Sequence, residues 1–250
     1  MSGHSKWANI KHRKGAADAK RGNLFTKLAK EIAVAVREGG PNIEGNYRLR
    51  LAVQKAKDNN MPAGNIERAI KRASGVDDQD ALEEVTYEGY GPGGVALLLQ
   101  TLTPNRNRTV SAIRAVLTRG GGNLGEAGSV AWNFEFKGVI TVQTEPEKAE
   151  EIMLEAIDMG ADDVKVDEGY VEILTRPEDL EKVRRGLESK NISIDTAELS
   201  MMPKATVSLD HKTAMQTLKL LDSLEELDDI QKVYANADFP DEALEEYGKS

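Results

Sequence analysis

The chain of 250 residues predicts an α+β protein of several domains, and three observations lead there. Residues 1–75 carry apolar side chains at helical spacing and glycine or proline at the ends of each run. From about residue 83 the texture changes to short β-rich runs joined by glycine turns. Residues 137–202 then repeat strand and helix in the order βαββαβ, the ferredoxin-like split unit. At this length roughly two domains are expected, and the chain is long enough to bury a core.

The first helix is predicted over 17–38. Leu24, Phe25, Leu28, Ile32 and Val36 recur at three- and four-residue steps and make one apolar face, with Lys20, Arg21, Lys27 and Lys30 largely off it. Gly39-Gly40-Pro41 ends it. A second helix over 45–59 turns Tyr47, Leu51 and the run from Val53 to Ala56 inward and Arg48, Arg50, Lys55 and Lys57 outward. Pro62 suits the first residue of a third helix, whose face is Ile66, Ile70 and Ala73 and whose stop is Gly75. These helices, with the basic segment ahead of them, form an N-terminal helical domain over 1–76.

An acidic linker containing Asp77, Asp78 and Asp80 follows. Runs 84–90 and 95–102 read as strands joined at the hairpin turn Gly91-Pro92-Gly93-Gly94. A helix over 108–119 points Val110, Ile113, Val116 and Leu117 inward, and Gly120-Gly121-Gly122 stops it. After the loop 123–128, residues 129–136 read as a further strand. The ferredoxin-like unit is strand 139–143, helix 147–159, strand 164–166, strand 170–174, helix 177–188 and strand 193–199. Strand 206–209, helix 213–224 and strand 230–234 are too few to stand alone. They complete a sheet by rejoining 84–102 and 129–136. The expected division is therefore 1–76, a discontinuous α+β domain of 80–136 with 203–240, and an inserted ferredoxin-like domain of 137–202. The acidic tail after Asp238 is expected to be loose.

Charge separates the chain more sharply than structure does. Residues 1–75 hold 16 Lys/Arg against 6 Asp/Glu, a net of +10, and the remaining residues hold 17 against 36, a net of −19. Within residues 3–30 stand Lys6, Lys11, Arg13, Lys14, Lys20, Arg21, Lys27 and Lys30 against the single acid Asp18, with few apolar residues before Leu24. Such a segment cannot offset its own ordering entropy and is expected to order on an anionic partner. Nucleic acid is the partner that charge density favours, through phosphate contacts from Lys6, Lys11, Arg13, Lys14, Lys20, Arg21 and Lys27, with Trp7 and His12 placed to stack on a base. A merely solvated leader explains the charge but not its contrast with the acidic remainder. The Debye length near 8 Å keeps that remainder from cancelling the basic face at a distance.

Arg106 and Arg108 stand beside Asn105 and Asn107 at a helix mouth, where cations oppose the macrodipole. The pair reads equally as a phosphate or base grip and as part of a polar cap. With Arg48 and Arg50 they complete the candidate nucleic-acid-binding set. The absence of cysteine excludes disulfides, thiol nucleophiles and cysteine-bound zinc. His4, His12 and His211 stand in no recognisable metal spacing, and no catalytic residue, metal or cofactor is expected. The glycine clusters at 89–94 and 120–129 lack the GK[ST] and helix start of a phosphate cradle. They read as turns, so an enzyme acting on a phosphorylated small molecule is the minor alternative and a pure scaffold another. No apolar run approaches a membrane span and no secretion-signal core is present, so a cytoplasmic protein without membrane or small-molecule partners is expected.

The residues also carry a resemblance. The opening MSGHSKWANIKHRKGAADAKRGNLFTKLAKEIAVAVREGG, RLRLAVQKAKDNNMP at 48–62, NIERAIKR at 65–72, YEGYGPGGVA at 87–96, NRNRT at 105–109 and GGNLGEAGSVAW at 121–132 resemble the YebC/PmpR family over essentially the full chain. Departures at Asn42-Ile43, Thr103-Pro104 and Ala127 leave the basic arm untouched. The resemblance implies a helical domain and two α+β domains, one inserted in the other. It also implies a DNA-binding transcriptional regulator. Relatives that include the mitochondrial translational activator of cytochrome c oxidase imply instead a ribosome-associated translation factor that relieves stalling at difficult stretches such as proline runs. No helix-turn-helix signature is evident. Lysine-rich contacts position without specifying sequence, which suits structured or ribosomal RNA as well as DNA.

Overall fold

The computed structural model describes residues 18–75, 82–167 and 169–249. Among the described residues three helices come first: α1 (Asp18–Gly39), α2 (Tyr47–Asp58) and α3 (Ala63–Ser74). Leu28, Ile32, Ala35 and Val36 of α1 meet Leu49, Val53 and Ala56 of α2 and Ile66 and Ala73 of α3 in one core. The expected inward face of α2 is displaced. Tyr47 and Leu51 are 69% and 52% exposed, because Leu49, Val53 and Ala56 already fill the seam at three- and four-residue steps. Asn46 fastens the α1–α2 corner. Its side chain accepts from Leu49 N at 3.0 Å as the cap of α2 and donates to Ala35 O at 2.7 Å and Gly40 O at 2.9 Å.

Strands β1 (Glu83–Tyr90) and β2 (Ala96–Thr103) form an antiparallel hairpin around the Pro92–Gly94 turn. Gly93 and Gly94 adopt φ of +72° and +78° there, which L side chains resist. Then come α4 (Arg106–Arg119) and the short β3 (Asn123–Leu124). The next strand is β4 (Phe134–Gln143), entered by a single 3₁₀ turn at Ala131–Asn133.

This corrects the strand expected over 129–136. Residues 129–133 are loop and turn. Phe134 and Phe136 begin one unbroken strand that pairs with the second sheet rather than the first, so position 137 lies inside β4. Gly138, at the apparent break, pairs with Leu199 and Thr175 inside the strand, where a Cβ would stand 2.3 Å from Thr175 Oγ1 and 2.8 Å from Leu180 Cβ.

The second sheet also takes β5 (Asp163–Asp167), β6 (Tyr170–Thr175) and β7 (Thr196–Pro203), with α5 (Pro146–Met159) and α6 (Leu180–Ser189) on one face. Its order β5-β6-β4-β7, all antiparallel, is the ferredoxin-like order. Ile140, Val142, Val171 and Ile173 pack on Ile152, Ala156, Val183 and Leu187.

The chain then returns through β8 (Val207–Ser208), α7 (His211–Glu225), β9 (Ile230–Ala235), β10 (Ala237–Asp238) and α8 (Asp241–Lys249). β9 joins β2, completing the sheet β3-β1-β2-β9, whereas β8 pairs only with β10 in a separate two-stranded ladder. Helices α4, α7 and α8 cover one face of the four-stranded sheet through Leu97, Leu99, Ile113, Leu117, Leu218 and Leu221. The other face buries Ala96 and Leu98 against Val130, Phe134 and Tyr234.

The expected loose tail is instead a docked helix. Ala243, Leu244 and Tyr247 recur on one side of α8 and are buried in the main core, with the Tyr247 hydroxyl donating to Asp222. Acidic composition hid three well-spaced apolar positions. Among the described residues no helix is long and apolar enough to cross a membrane.

Candidate nucleic-acid interface

Lys6, Trp7, Lys11, His12, Arg13 and Lys14 lie outside the described residues. Lys20 and Arg21 belong to the first turn of α1. The other expected site residues are visible, and each is tied into the protein.

Lys27 donates to Glu225 O at 2.6 Å, and one turn away Asn23 donates to Glu226 O at 2.7 Å. These are carbonyls at the C-terminal end of α7, where unpaired acceptors and the negative end of the macrodipole favour a cation. One turn later Lys30 reaches Asp228 O at 2.8 Å and Asp229 Oδ1 at 2.6 Å. One edge of α1 is thus bound to the α7–β9 connection.

Arg108 meets the same Asp229 carboxylate from α4 at 2.8 and 3.1 Å, and Thr109 Oγ1 donates to it at 2.7 Å. Burial pushes the Asp229 carboxyl up. Lys30, Arg108 and Thr109 outweigh that and hold it at about 2. Arg106 pairs with Glu83, and Asn105 Oδ1 accepts from Arg108 N at 3.0 Å as the helix cap. The cap and ion-pair roles of 105–109 are therefore both present. Arg106 and Arg108 stay about 60% exposed, yet each charge already has a carboxylate partner.

Arg48 bridges Glu38 and Glu84, both at 2.5 Å, and joins the helical unit to β1. Burial lowers its pKa, and the hydrogen bonds and charges of the two glutamates more than reverse that. Arg50 donates to the carbonyl of Glu44 at 2.7 Å. Arg48, Glu84, Lys55, Glu31, Leu51 and Gln231 line a cleft of about 400 Å³ between α2 and the sheet, crossed by the Arg48–Glu84 and Lys55–Glu31 pairs.

The glycine loops pack on each other rather than enclosing a cavity for phosphate. A Cβ on Gly122 would stand 2.3 Å from Tyr90 O and 3.3 Å from Gly91 Cα, and one on Gly93 would meet Leu209 and Thr213 at the start of α7. The loop after Gly122 is held by a residue that charge counting passed over. Glu88, buried on β1, accepts from Gly128 N at 2.6 Å, Val130 N at 2.6 Å and Ala131 N at 2.8 Å. Burial raises its carboxyl, and these three N–H groups draw it below the ordinary range.

The pinned loop presents Trp132, 69% exposed, with its indole N–H donating to Ser129 O at 3.0 Å. Reading 129–136 as a strand concealed this side chain. Its rarity, one of two tryptophans in the chain, was the available signal. Two further cations escaped the sequence reading. Arg114 and Arg119 lie exposed on α4 without an ion pair among the described residues.

Residues 5–76 match the family described as the TACO1/YebC protein N-terminal domain, and residues 82–237 match the TACO1/YebC second and third domain. Proteins named probable transcriptional regulatory protein are similar over the whole length. One from Dehalococcoides mccartyi (strain BAV1) is 60% identical over 99% of this chain and 98% of its own. One from Moorella thermoacetica is 55% identical over 96% of each. The crystal structure of a conserved hypothetical protein from Aquifex aeolicus superposes with a TM-score of 0.75 at 49% identity, covering 89% of this chain and 92% of that one.

Proposed function

The chain belongs to the TACO1/YebC family, and on that premise we propose that it is a cytoplasmic, non-enzymatic regulator of gene expression that binds DNA through its basic arm. The names of its relatives, probable transcriptional regulatory protein, support regulation. The observation that carries nucleic-acid binding is the charge division, +10 over residues 1–75 and −19 over the rest. Lys6, Lys11, Arg13, Lys14, Lys20 and Arg21 supply phosphate contacts, and Trp7 and His12 stack on a base. Lys27 and Lys30 fix the base of the arm, since their ammonium groups are taken by carbonyls and Asp229.

A second reading, a translation factor bound to ribosomal RNA, is favoured by that same arrangement. With α1 held against α7 along one edge, recognition falls to an arm rich in lysine and poor in base-reading side chains, and such contacts suit shape more than sequence.

The test is affinity against salt. About six neutralised phosphates on duplex DNA give a slope of log K on log salt near −5. Replacing Lys11, Arg13 and Lys14 by alanine is expected to flatten it by about 3. A flat response of the wild type refutes arm-driven binding. Sedimentation of the wild type and an arm-deleted form from lysate, at low and high salt, separates the readings. Arm-dependent, salt-sensitive migration with ribosomes selects RNA, and retention on DNA away from ribosomes selects transcription.

A further inference from the structure

Between Glu88 and Glu126 the chain has no Asp or Glu at all, although its acidic part as a whole holds two acids for every Lys or Arg. The same stretch contains four arginines, Arg106, Arg108, Arg114 and Arg119, all on α4. Two of the four are matched by Glu83 and Asp229. Among the described residues Arg114 and Arg119 have no ion pair, and nothing in packing accounts for them. Both are exposed, and the buried side of α4 is made by Thr109, Ile113 and Leu117. Asn107, Ser111, Arg114 and Thr118 follow one another at three- and four-residue steps, so the outer face of α4 is polar and carries positive charge, with the Ser111 hydroxyl donating to Asn107 O.

α7 lies beside it. Gln216 Nε2 donates to Gly120 O at 3.1 Å, and a Cβ on Gly120 would strike Leu220, so the C-terminal end of α4 stands against residues 216–220. Lys219, exposed and without an ion pair among the described residues, adds to the cationic surface there. Two acids stand on α7: Asp222, one turn from Lys219, receives the Tyr247 hydroxyl, and Glu225 lies in the last turn, while Asp210 ahead of the helix caps it through Thr213. The C-terminal carbonyls of α7 are where Asn23 and Lys27 attach, so the first turns of α1, which the basic arm precedes, sit at one end of this layer and the glycine turns at the other. The 15 residues of α7 give the layer a length of ~22 Å.

We propose that the outer surface of the α4–α7 layer is a second phosphate-binding track, in which Arg114, Arg119 and Lys219 hold the backbone of the nucleic acid that the arm engages. It rests on the nucleic-acid reading above and extends it from the arm to the middle of the protein. An acid-free row flanked by exposed cations gives non-specific grip, since phosphate contacts position a chain without reading it. It also turns an otherwise acidic body, which repels polyanions, into one that accepts them on a single face.

The experiment uses the full chain carrying Arg114→Ala, Arg119→Ala and Lys219→Ala together, with a labelled 20-nucleotide RNA and a 20-base-pair DNA duplex as separate probes, titrated across salt. These side chains are exposed, so the melting temperature is expected to stay where it is. The slope of log K on log salt is expected to fall by about 2 to 3 relative to wild type, at roughly 0.9 per lost duplex contact and 0.7 per single-strand contact. The probe that shows the fall identifies the nucleic acid. Unchanged affinity and slope with both probes, in a protein whose wild type binds, overturns the track and leaves the arm reading standing. A wild type that binds neither probe overturns both.

Discussion

Lys30 and Asp229 meet at 2.6 Å across the contact between the N-terminal helices and the β-sheet unit behind them. Both side chains are largely buried, and Arg108 and Thr109 complete the carboxylate's shell. A buried acid with three donors is costly to strip of partners, because the remaining charges lose their compensation. Replacing Asp229 by alanine is therefore expected to cost about 3 kcal/mol. Lys30→Met is expected to cost less, about 1–2 kcal/mol, since Arg108 remains. Urea unfolding of both variants and the double variant measures the coupling. Strict additivity would show that the two residues do not act together.

The same site sets an acid limit. Asp229 has its carboxyl depressed to about 2 in the folded protein from an ordinary value of 3.8. A depressed carboxyl contributes stability that is complete above its unfolded pKa and is lost as pH falls through the folded one. The contribution, on the order of 2 kcal/mol, is expected to disappear between about pH 4 and pH 2. Stability curves of wild type and Asp229→Asn are expected to converge across that window and to stay parallel above pH 5. Parallel curves throughout would assign the acid sensitivity to other carboxylates.

Glu88 offers a separate prediction. Its carboxylate holds three backbone N–H groups of the loop that presents Trp132. Glu88→Ala leaves those donors without their acceptor in a partly buried place, a loss of roughly 2–3 kcal/mol. Amide exchange at Gly128, Val130 and Ala131 is expected to accelerate more than exchange in β6, far from the change. Unaltered protection at those three amides would mean that sheet packing alone orders the loop.

These sites show which parts of the molecule could be read in one dimension. The helix faces of α1, α3 and α4 and the ferredoxin-like order were legible because apolar spacing is local and survives without partners. Asp229 was not legible, since its partners lie about 120 and 200 residues away and a single Asp in an acidic run looks like any other. Glu88 was hidden for the same reason. It is one of several glutamates on β1, and only the pairing Glu88↔Leu98 turns it toward Val130. The strand expected at 129–136 failed at its start because a 3₁₀ turn and an exposed tryptophan have the same β-rich composition as a strand. Lys27 was legible as a cation but not as an end cap for a helix two hundred residues on.

Two glycines should respond in opposite directions to the same change. Gly122 has no room for a Cβ, which would sit 2.3 Å from Tyr90 O, a backbone atom that cannot swing away. Gly122→Ala is expected to cost 2 kcal/mol or more by roughly the measure of overpacked sites. Gly22 lies within α1, and an added Cβ meets nothing within 4 Å. Gly22→Ala is expected to add about 0.5–1 kcal/mol, because a helix-interior glycine carries excess conformational entropy when unfolded. Thermal melts decide both, and equal shifts of the same sign would contradict the local geometry.

The final helix carries the strongest test of the fold itself. Leu244 and Tyr247 of α8 lie in the core with Leu218, Leu221 and Phe239, and the Tyr247 hydroxyl bonds Asp222 on α7. Burial, the hydrogen bond to Asp222 and its negative charge all raise the tyrosine's pKa, so the phenol stays neutral and donating through ordinary pH. Leu244→Ala removes a buried side chain and is expected to cost 2–4 kcal/mol, roughly the range of leucine truncations that leave a cavity. Tyr247→Phe keeps the ring and loses only the bond, so about 1 kcal/mol is expected. A tail that merely hung in solvent would tolerate both changes with no shift in the melt, as it would a stop after Asp238. The ordering Leu244→Ala worse than Tyr247→Phe, with truncation worst of all, is what a helix sealing the α7 side of the core requires.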